Sequence, residues 1–182
     1  VFLNISADHL DRYGNLEQYL NAKLNIFCNQ TSEDFALINK NIAYKKEIEK
    51  AIKSQLIYFF DECSNENFSC VFQLANIFGI GKQECEDFFK TFKGIEHRQE
   101  VVRGKGGITY INDSKATNPA STIWALRNVK SPLVLLVGGK DKGLDYCEIK
   151  PYLSKVRKLM VFGQASSVIL DSLGDSVDFE VF

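Results

Sequence analysis

Charge of one sign is what this sequence most plainly lacks. Its 22 lysines and arginines offset 23 aspartates and glutamates, leaving a formal net charge of −1. No global field of that size draws in a polyanion, so neither nucleic acid nor a membrane surface is an expected partner. Long hydrophobic runs are missing too: none approaches the ~20 residues that a membrane-spanning helix needs. Proline is scarce, with three residues, and histidine scarcer, with two. The five cysteines, Cys28, Cys63, Cys70, Cys85 and Cys147, make no CxxC pair, no metal-type spacing and an odd total. That pattern reads as reduced thiols in a cytoplasmic protein rather than as a disulfide framework. There are no internal repeats and no low-complexity segments.

What is present is the composition of a globular chain. Of 182 residues, 45% are hydrophobic and 25% charged, enough for one large or two small domains. Val1 stands at the front, VFLNIS reads as a strand end, and VDFEVF reads as a strand with nothing after it. An unpaired terminal strand is a liability, so the chain is expected to be cut from a longer protein at both ends.

Apolar patterning predicts strands at Phe2–Ile5, Phe35–Asn39 and Leu56–Phe60. Helices are predicted from Leu16 to Phe27, over Asn67–Phe78 up to Gly79, and over Lys82–Thr91. Lys40–Ile42 reads as a turn, and the charged run Lys45–Lys53 is ambiguous. After a linker at Phe92–His97 the pattern alternates. Strands fall at Gly107–Ile111, Leu133–Val137, Leu159–Phe162 and Val177–Val181, and helices at Ser121–Asn128, Ile149–Val156 and Ser166–Leu173. Continuous apolar strands separated by helices indicate an α/β fold with a mostly parallel, doubly wound, Rossmann-like sheet in the second half. The domain boundary is expected between residues 1–93 and 94–182.

Ile111–Thr122, reading INDSKATNPAST, is the densest functional signal. Asn112, Asp113, Ser114, Lys115, Thr117 and Asn118 crowd between a strand end and a helix start. Past the carboxyl end of a strand is where ligands sit in open α/β sheets. Gly138–Asp145, reading GGKDKGLD, follows another strand; its glycines permit close backbone approach to an anion, although turns share this composition. Lys23 falls in the middle of an apolar stripe formed by Leu16, Tyr19, Leu20, Leu24 and Phe27. Either it snorkels from a core edge, or desolvation lowers its pKa so that the neutral amine can react, for instance with CO2 to give a carbamate. Ser6–Arg12, SADHLDR, is a solvated loop or a site in which His9 ligates a metal. Arg98, in GIEHRQE, either reaches a phosphate or makes a surface ion pair. Gly79-Ile80-Gly81-Lys82 is set aside as a phosphate loop, because it lacks the GxxxxGK[ST] spacing and follows a helix.

These signals occur together and in order. NISADHLDRYGNLEQYLNAKLNIF, GIEHRQEVV, YINDSKATNPAST and LLVGGKDKGLDY resemble successive landmarks of the Mur ligase family, and DSKATNPAST resembles its D-glutamate-adding branch. The resemblance implies the end of a central ATPase domain followed by most of a C-terminal domain. It implies ATP and Mg2+ as cofactors, with UDP-N-acetylmuramoyl-L-alanine and D-glutamate as substrates of a cytoplasmic monomer in peptidoglycan synthesis. His9 would bind magnesium, and Lys23, carbamylated, would join the same site. Arg12 would lie beside the uridine-linked substrate, and Asn67 would approach the adenine. Arg98 and Asp113 would contact the nucleotide phosphates and ribose. Lys115 would lie near the reacting phosphates, and Thr117 and Lys142 would hold D-glutamate. Ser64 stands where the family has a first asparagine of the adenine pattern, which gives weight to a non-catalytic nucleotide- or partner-binding descendant; another Mur or folylpolyglutamate-type ligase is the second alternative. The phosphate loop lies upstream of Val1 in the family, so this chain alone is expected to lack ligase activity.

Overall fold

The computed structural model describes residues 1–8, 10–60 and 66–182. The chain divides into two compact units, Val1–Ser6 with Glu17–Lys93, and Ala7–Leu16 with Gly94–Phe182. Segment Ala7–Leu16, carrying the one-turn helix α1 (Leu10–Tyr13), therefore packs with the second unit although it precedes most of the first in sequence.

In the first unit, helix α2 (Leu16–Leu24) continues as a 3-10 turn, Asn25–Phe27. Strands β1 (Phe35–Asn39) and β2 (Gln55–Phe59) pair in parallel, with Phe35 opposite Gln55. β1 is buried on both faces, as a parallel strand requires. Ala36 and Ile38 join Phe2, Leu20, Phe27, Ile42 and Ile48 on one side, while Leu37 meets Phe59 and Cys70 on the other. The strand expected at Phe2–Ile5 is reduced to a single parallel bridge, Phe2 to Ile38. β1 ends one residue later and turns at Lys40, so Leu3 onward has no backbone edge to pair with. The ambiguous charged run forms helix α3 (Lys45–Ala51). Ile48, fully buried, is its anchor.

Helix α4 (Glu66–Ile77) stops where its sequence says it should. Gly79, at φ +74°, donates to the Asn76 carbonyl, and the next residue, Ile80, donates to that of Ala75. These are the paired bonds of a Schellman end. Helix α5 (Lys82–Thr91) starts two residues on, with Glu84 accepting from the Gly81 N–H at 3.0 Å. The two glycines of GIGK thus stop one helix and start the next. Phe89 of α5 stacks on Phe68 of α4, with centroids 4.0 Å apart, and meets Phe72 edge-on at 5.2 Å.

Burial pushes the Cys70 thiol pKa up. Less thiolate, the reactive form, is then present at mildly alkaline pH. Cys28 and Cys147 are exposed, whereas Cys70 and Cys85 are buried. Under iodoacetamide at pH 8, Cys28 and Cys147 should alkylate more than about tenfold faster than Cys70. Peptide mass spectrometry reads the rates, and equal labelling of Cys70 and Cys28 would contradict the packing of α4 on the sheet.

The second unit holds strand β3 (Glu100–Lys105), antiparallel to β4 (Ile108–Asn112). This corrects the reading of Gly107–Ile111 as a member of the parallel alternation. Gly106 and Gly107, both at positive φ, join the strands. Two such residues between strands make the tight turn that favours a hairpin.

Beyond the hairpin, helix α6 (Pro119–Asn128) leads into a parallel sheet. Its strands are β5 (Leu133–Gly138), β6 (Val156–Phe162) and β7 (Phe179–Val181), with β6 in the centre. The helix expected at Ile149–Val156 is instead a 3-10 segment, Tyr146–Lys155. Pro151 sits inside it and cannot donate a helical hydrogen bond, and Val156 already belongs to β6. Helix α7 (Ser166–Leu173) completes the layer. Leu126, Ile149, Leu153, Leu159, Val161, Ile169 and Leu173 form the buried core, with Leu133, Leu135 and Val137 packed on it. Burying each such side chain stabilises by about 1.5–3 kcal/mol. The other face of the sheet presents Val134, Leu136 and Phe162 to the surface.

Candidate functional site

The loop after β4 divides its polar residues between structure and surface. Asn112 Oδ1 accepts from the Ser114 N–H at 3.1 Å, and the Asp113 carbonyl accepts from the Ala116 N–H at 2.8 Å. Asn118 caps α6: its Oδ1 accepts from the Ser121 N–H at 2.9 Å, and Pro119 follows at the first helical position, where a missing N–H costs nothing. Ser114, Lys115 and Thr117 are left at the surface.

His97–Glu100 lies against this loop. The Lys115 N–H donates to the His97 carbonyl at 3.2 Å. Asn112 Nδ2 lies 2.9 Å from His97 Nδ1. Because Asn112 Oδ1 already accepts from Ser114, its amide nitrogen must donate to the ring. His97 Nδ1 is then the acceptor, and in the neutral ring the proton sits on Nε2. Glu100 Oε2 accepts from the His97 N–H at 2.9 Å. Both His97 and Gln99 adopt positive φ, +66° and +47°, which costs a non-glycine residue of order 1–3 kcal/mol and clusters at functional sites. Arg98 between them is exposed, and Asp113 is half-buried. Asp113 accepts from Gln99 twice, from its N–H to Oδ1 at 3.2 Å and from its Nε2 to Oδ2.

A second cluster joins three segments of this unit. Lys142 Nζ lies 3.1 Å from Asp8 Oδ1 and 3.5 Å from the Thr117 carbonyl, and Asn118 Nδ2 donates to Asp8 Oδ2 at 3.3 Å. The Lys142 and Asp8 side chains are only 21% and 13% exposed, so their pairing is screened less than a surface ion pair. Lys142 is carried here by the turn that follows β5. A Cβ on Gly138 would lie 1.9 Å from the Phe162 carbonyl oxygen. The next residue, Gly139, at φ +116°, donates to that oxygen at 3.1 Å and accepts from the Ala165 N–H at 2.9 Å. The glycine pair therefore lets β5, β6 and the start of α7 close on one another. Gly143, at φ +67°, donates to Asp141 Oδ1 at 2.9 Å.

Five of the expected residues thus fall into two arrangements of one unit: Arg98, Asp113 and Lys115 at the His97–Glu100 bend, and Thr117 and Lys142 with Asp8. Arg12 in α1 has its guanidinium 5.4 Å from the Tyr13 ring centre. Asn67, in the first turn of α4, is exposed. Lys23 is half-buried, with Nζ 5.0 Å from the Tyr19 ring centre and 5.7 Å from that of Phe2. Ring faces attract a cation, and the stem of Lys23 covers these aromatic surfaces. His9 and Ser64 lie outside the described residues. Among the described residues no group of three or more His, Cys, Asp or Glu side chains could hold a metal, so they do not by themselves make a magnesium donor set. Asp8 and Gln99 are the residues that sequence reasoning left without a role. Each gains one only through a partner distant in the chain.

Two family profiles cover the chain almost end to end: "Mur ligase middle domain" over residues 1–101, and "Mur ligase, glutamate ligase domain" over residues 97–181. The chain belongs to the Mur ligase family. It is 34% identical over 205 residues to the UDP-N-acetylmuramoylalanine--D-glutamate ligase of Clostridioides difficile (strain 630), spanning 93% of this chain and 46% of that protein. To the ligase of the same name from Caldanaerobacter subterraneus subsp. tengcongensis it is 36% identical, over 92% of this chain and 44% of that protein. The Mur ligase chain thus spans less than half the length of these curated relatives. Among solved structures it resembles MurF from Acinetobacter baumannii, with TM-score 0.79, 16% identity and 98% of this chain matched to 49% of that one. It also resembles MurF ligase from Thermotoga maritima in complex with ADP, with TM-score 0.72, 15% identity and 98% matched to 51%. At those identities the likeness establishes the fold, an α/β architecture with parallel sheets.

Proposed function

We propose that this chain is part of an ATP-dependent ligase that joins D-glutamate to UDP-N-acetylmuramoyl-L-alanine in cytoplasmic peptidoglycan synthesis. In this reading residues 1–93 close the central ATPase domain and 94–182 form most of the C-terminal domain. The observation that carries it is the convergence of Lys142, Asp8, Asn118 and Thr117 beyond the ends of β4 and β5. A lysine at that place already holding a carboxylate is chemically suited to hold the carboxylate of an incoming amino acid. The names of the curated relatives support the same substrates.

The reaction balances simply. ATP transfers its terminal phosphoryl group to the substrate carboxylate, giving an acyl phosphate and ADP. The D-glutamate amine attacks the acyl carbon, phosphate leaves, and the nitrogen loses a proton. Lys115, exposed at the loop surface, supplies positive charge near the transferring phosphoryl group. Arg98 engages nucleotide phosphates, Asp113 the ribose, and Asn67 the adenine, while Arg12 faces the uridine-linked substrate. Thr117 and Lys142 hold D-glutamate. Mg2+ would be held by His9 and by Lys23 once its nitrogen carries a carbamate, which supplies the anionic oxygen such an ion prefers. The free thiols of Cys28, Cys70, Cys85 and Cys147 suit a reducing compartment.

Lys142→Ala tests the assignment. In the protein carrying this chain, loss of a charge-assisted contact should raise KM for D-glutamate about 10–100-fold. KM for ATP should change by less than about twofold, because ATP does not meet Lys142 in this reading. The rates come from D-glutamate-dependent phosphate release. An unchanged KM for D-glutamate, or no phosphate release from the wild-type protein, defeats the reading.

A further inference from the structure

Asp113 is held by one residue through two different groups. The Gln99 N–H donates to Oδ1 at 3.2 Å, and the Gln99 side-chain amide donates to Oδ2. This needs the left-handed backbone at Gln99, φ +47°, which turns the N–H and the side chain of the same residue toward the same carboxylate. An unrestrained aspartate rotates about two side-chain bonds. A carboxylate gripped at both oxygens does not, and each oxygen keeps a further lone pair for a ligand. Both residues are half-buried, so water competes weakly for the arrangement.

We propose that Gln99 is a positioning residue, fixing Asp113 so that its remaining lone pairs accept hydrogen bonds from the vicinal hydroxyls of the nucleotide ribose. The inference rests on the proposed role of Asp113 and goes beyond it. A carboxylate so held offers only acceptor lone pairs on its ligand side, so it suits hydroxyl donors rather than phosphates. In this role Gln99 acts through Asp113, to which both its donors are committed. Its influence passes through the rotation of Asp113, so it acts on ribose recognition and not on phosphate binding.

The test compares ATP with 2′,3′-dideoxy-ATP, which lacks both hydroxyls, by equilibrium binding to the protein carrying this chain. Gln99→Met keeps length and removes the side-chain donor. Gln99→Gly relieves the positive φ, keeps the N–H and loses the same donor. With two charge-assisted bonds reduced to one, each variant should raise Kd for ATP about fivefold and that for the dideoxy nucleotide less than about twofold. A role confined to folding moves both nucleotides equally, and that result overturns the inference. The glycine variant keeps the test decisive if methionine is poorly tolerated. Asp113→Asn separates the role of Asp113 from that of Gln99. If it leaves the preference for ATP intact, the ribose role of Asp113 fails and the Gln99 role with it. If Asp113→Asn abolishes the preference and both Gln99 variants retain it, only the Gln99 role is overturned.

Discussion

Gly138→Ala should destabilise the second unit by at least about 3 kcal/mol, at the upper end of overpacking effects. A Cβ at this position would sit 1.9 Å from the Phe162 carbonyl oxygen and 2.8 Å from its carbon. Both are backbone atoms of the neighbouring strand, so no side-chain rotation relieves the clash and β5 must separate from β6. Two other glycines calibrate the result. Gly104 lies in β3, has an ordinary φ, and an added Cβ there would meet nothing within 4 Å, so Gly104→Ala should be near neutral. Gly107 also faces open space but sits at φ +77°, so alanine there should cost about 1 kcal/mol in backbone strain alone. Urea denaturation of the three variants gives the ordering. If Gly138→Ala unfolds at the same midpoint as Gly104→Ala, the close approach of β5 and β6 is wrong. Because the turn after Gly138 carries Lys142, the same variant should also weaken the pairing with Asp8.

Lys23→Ala is expected to separate activity from stability. If the lysine becomes a carbamate at the magnesium site, as proposed, its removal in the protein carrying this chain should cut ligase turnover by about a thousandfold or more. Short-chain carboxylates added to the assay should restore part of the rate, since they offer an anionic oxygen to the vacated place. Stability should change little by comparison. The positions of Nζ over the Tyr19 and Phe2 rings are worth about 0.5–1 kcal/mol each. A variant with normal turnover and only a slightly lowered melting temperature would leave Lys23 as a lysine at a core edge, covering aromatic surface with its stem. Strong unfolding would assign it to the core and remove the catalytic role from consideration.

Much of the local structure could be read directly from residue order. β1, α5 and α7 fall where apolar spacing and end residues put them, and β5 needs one more residue, because burial period and capping chemistry are short-range properties. Asn118-Pro119 announces a helix start by the same logic, since cap and first-turn proline act within three residues. Gly106-Gly107 is an equally local hairpin signal, and overlooking it hid β3. Pro151 likewise marks the 3-10 segment in the sequence itself. The family, too, was legible, because its landmarks are short strings whose order along the chain is preserved.

Tertiary structure alone decided which of these polar groups act together. Asp8 and Lys142 are 134 residues apart, and no periodicity encodes a contact of that range. The packing of Ala7–Leu16 with the second unit creates it. Gln99 looked like an ordinary polar residue beside a histidine and an arginine. Only a positive φ, imposed by the bend at His97–Gln99 and sustained by the bonds to Asp113 and Lys115, aims both its donors at one carboxylate. The glycine pair at the end of β5 reads as room for an anion, yet the room at Gly138 is taken by the Phe162 carbonyl. Sequence by itself determined the kinds of elements and the chemical inventory of the site, because helix ends, turns and apolar runs obey nearest-neighbour physics. The pairing, orientation and burial of that inventory were decided by long-range packing, where the free energy of a polar group depends on partners that residue order does not reveal.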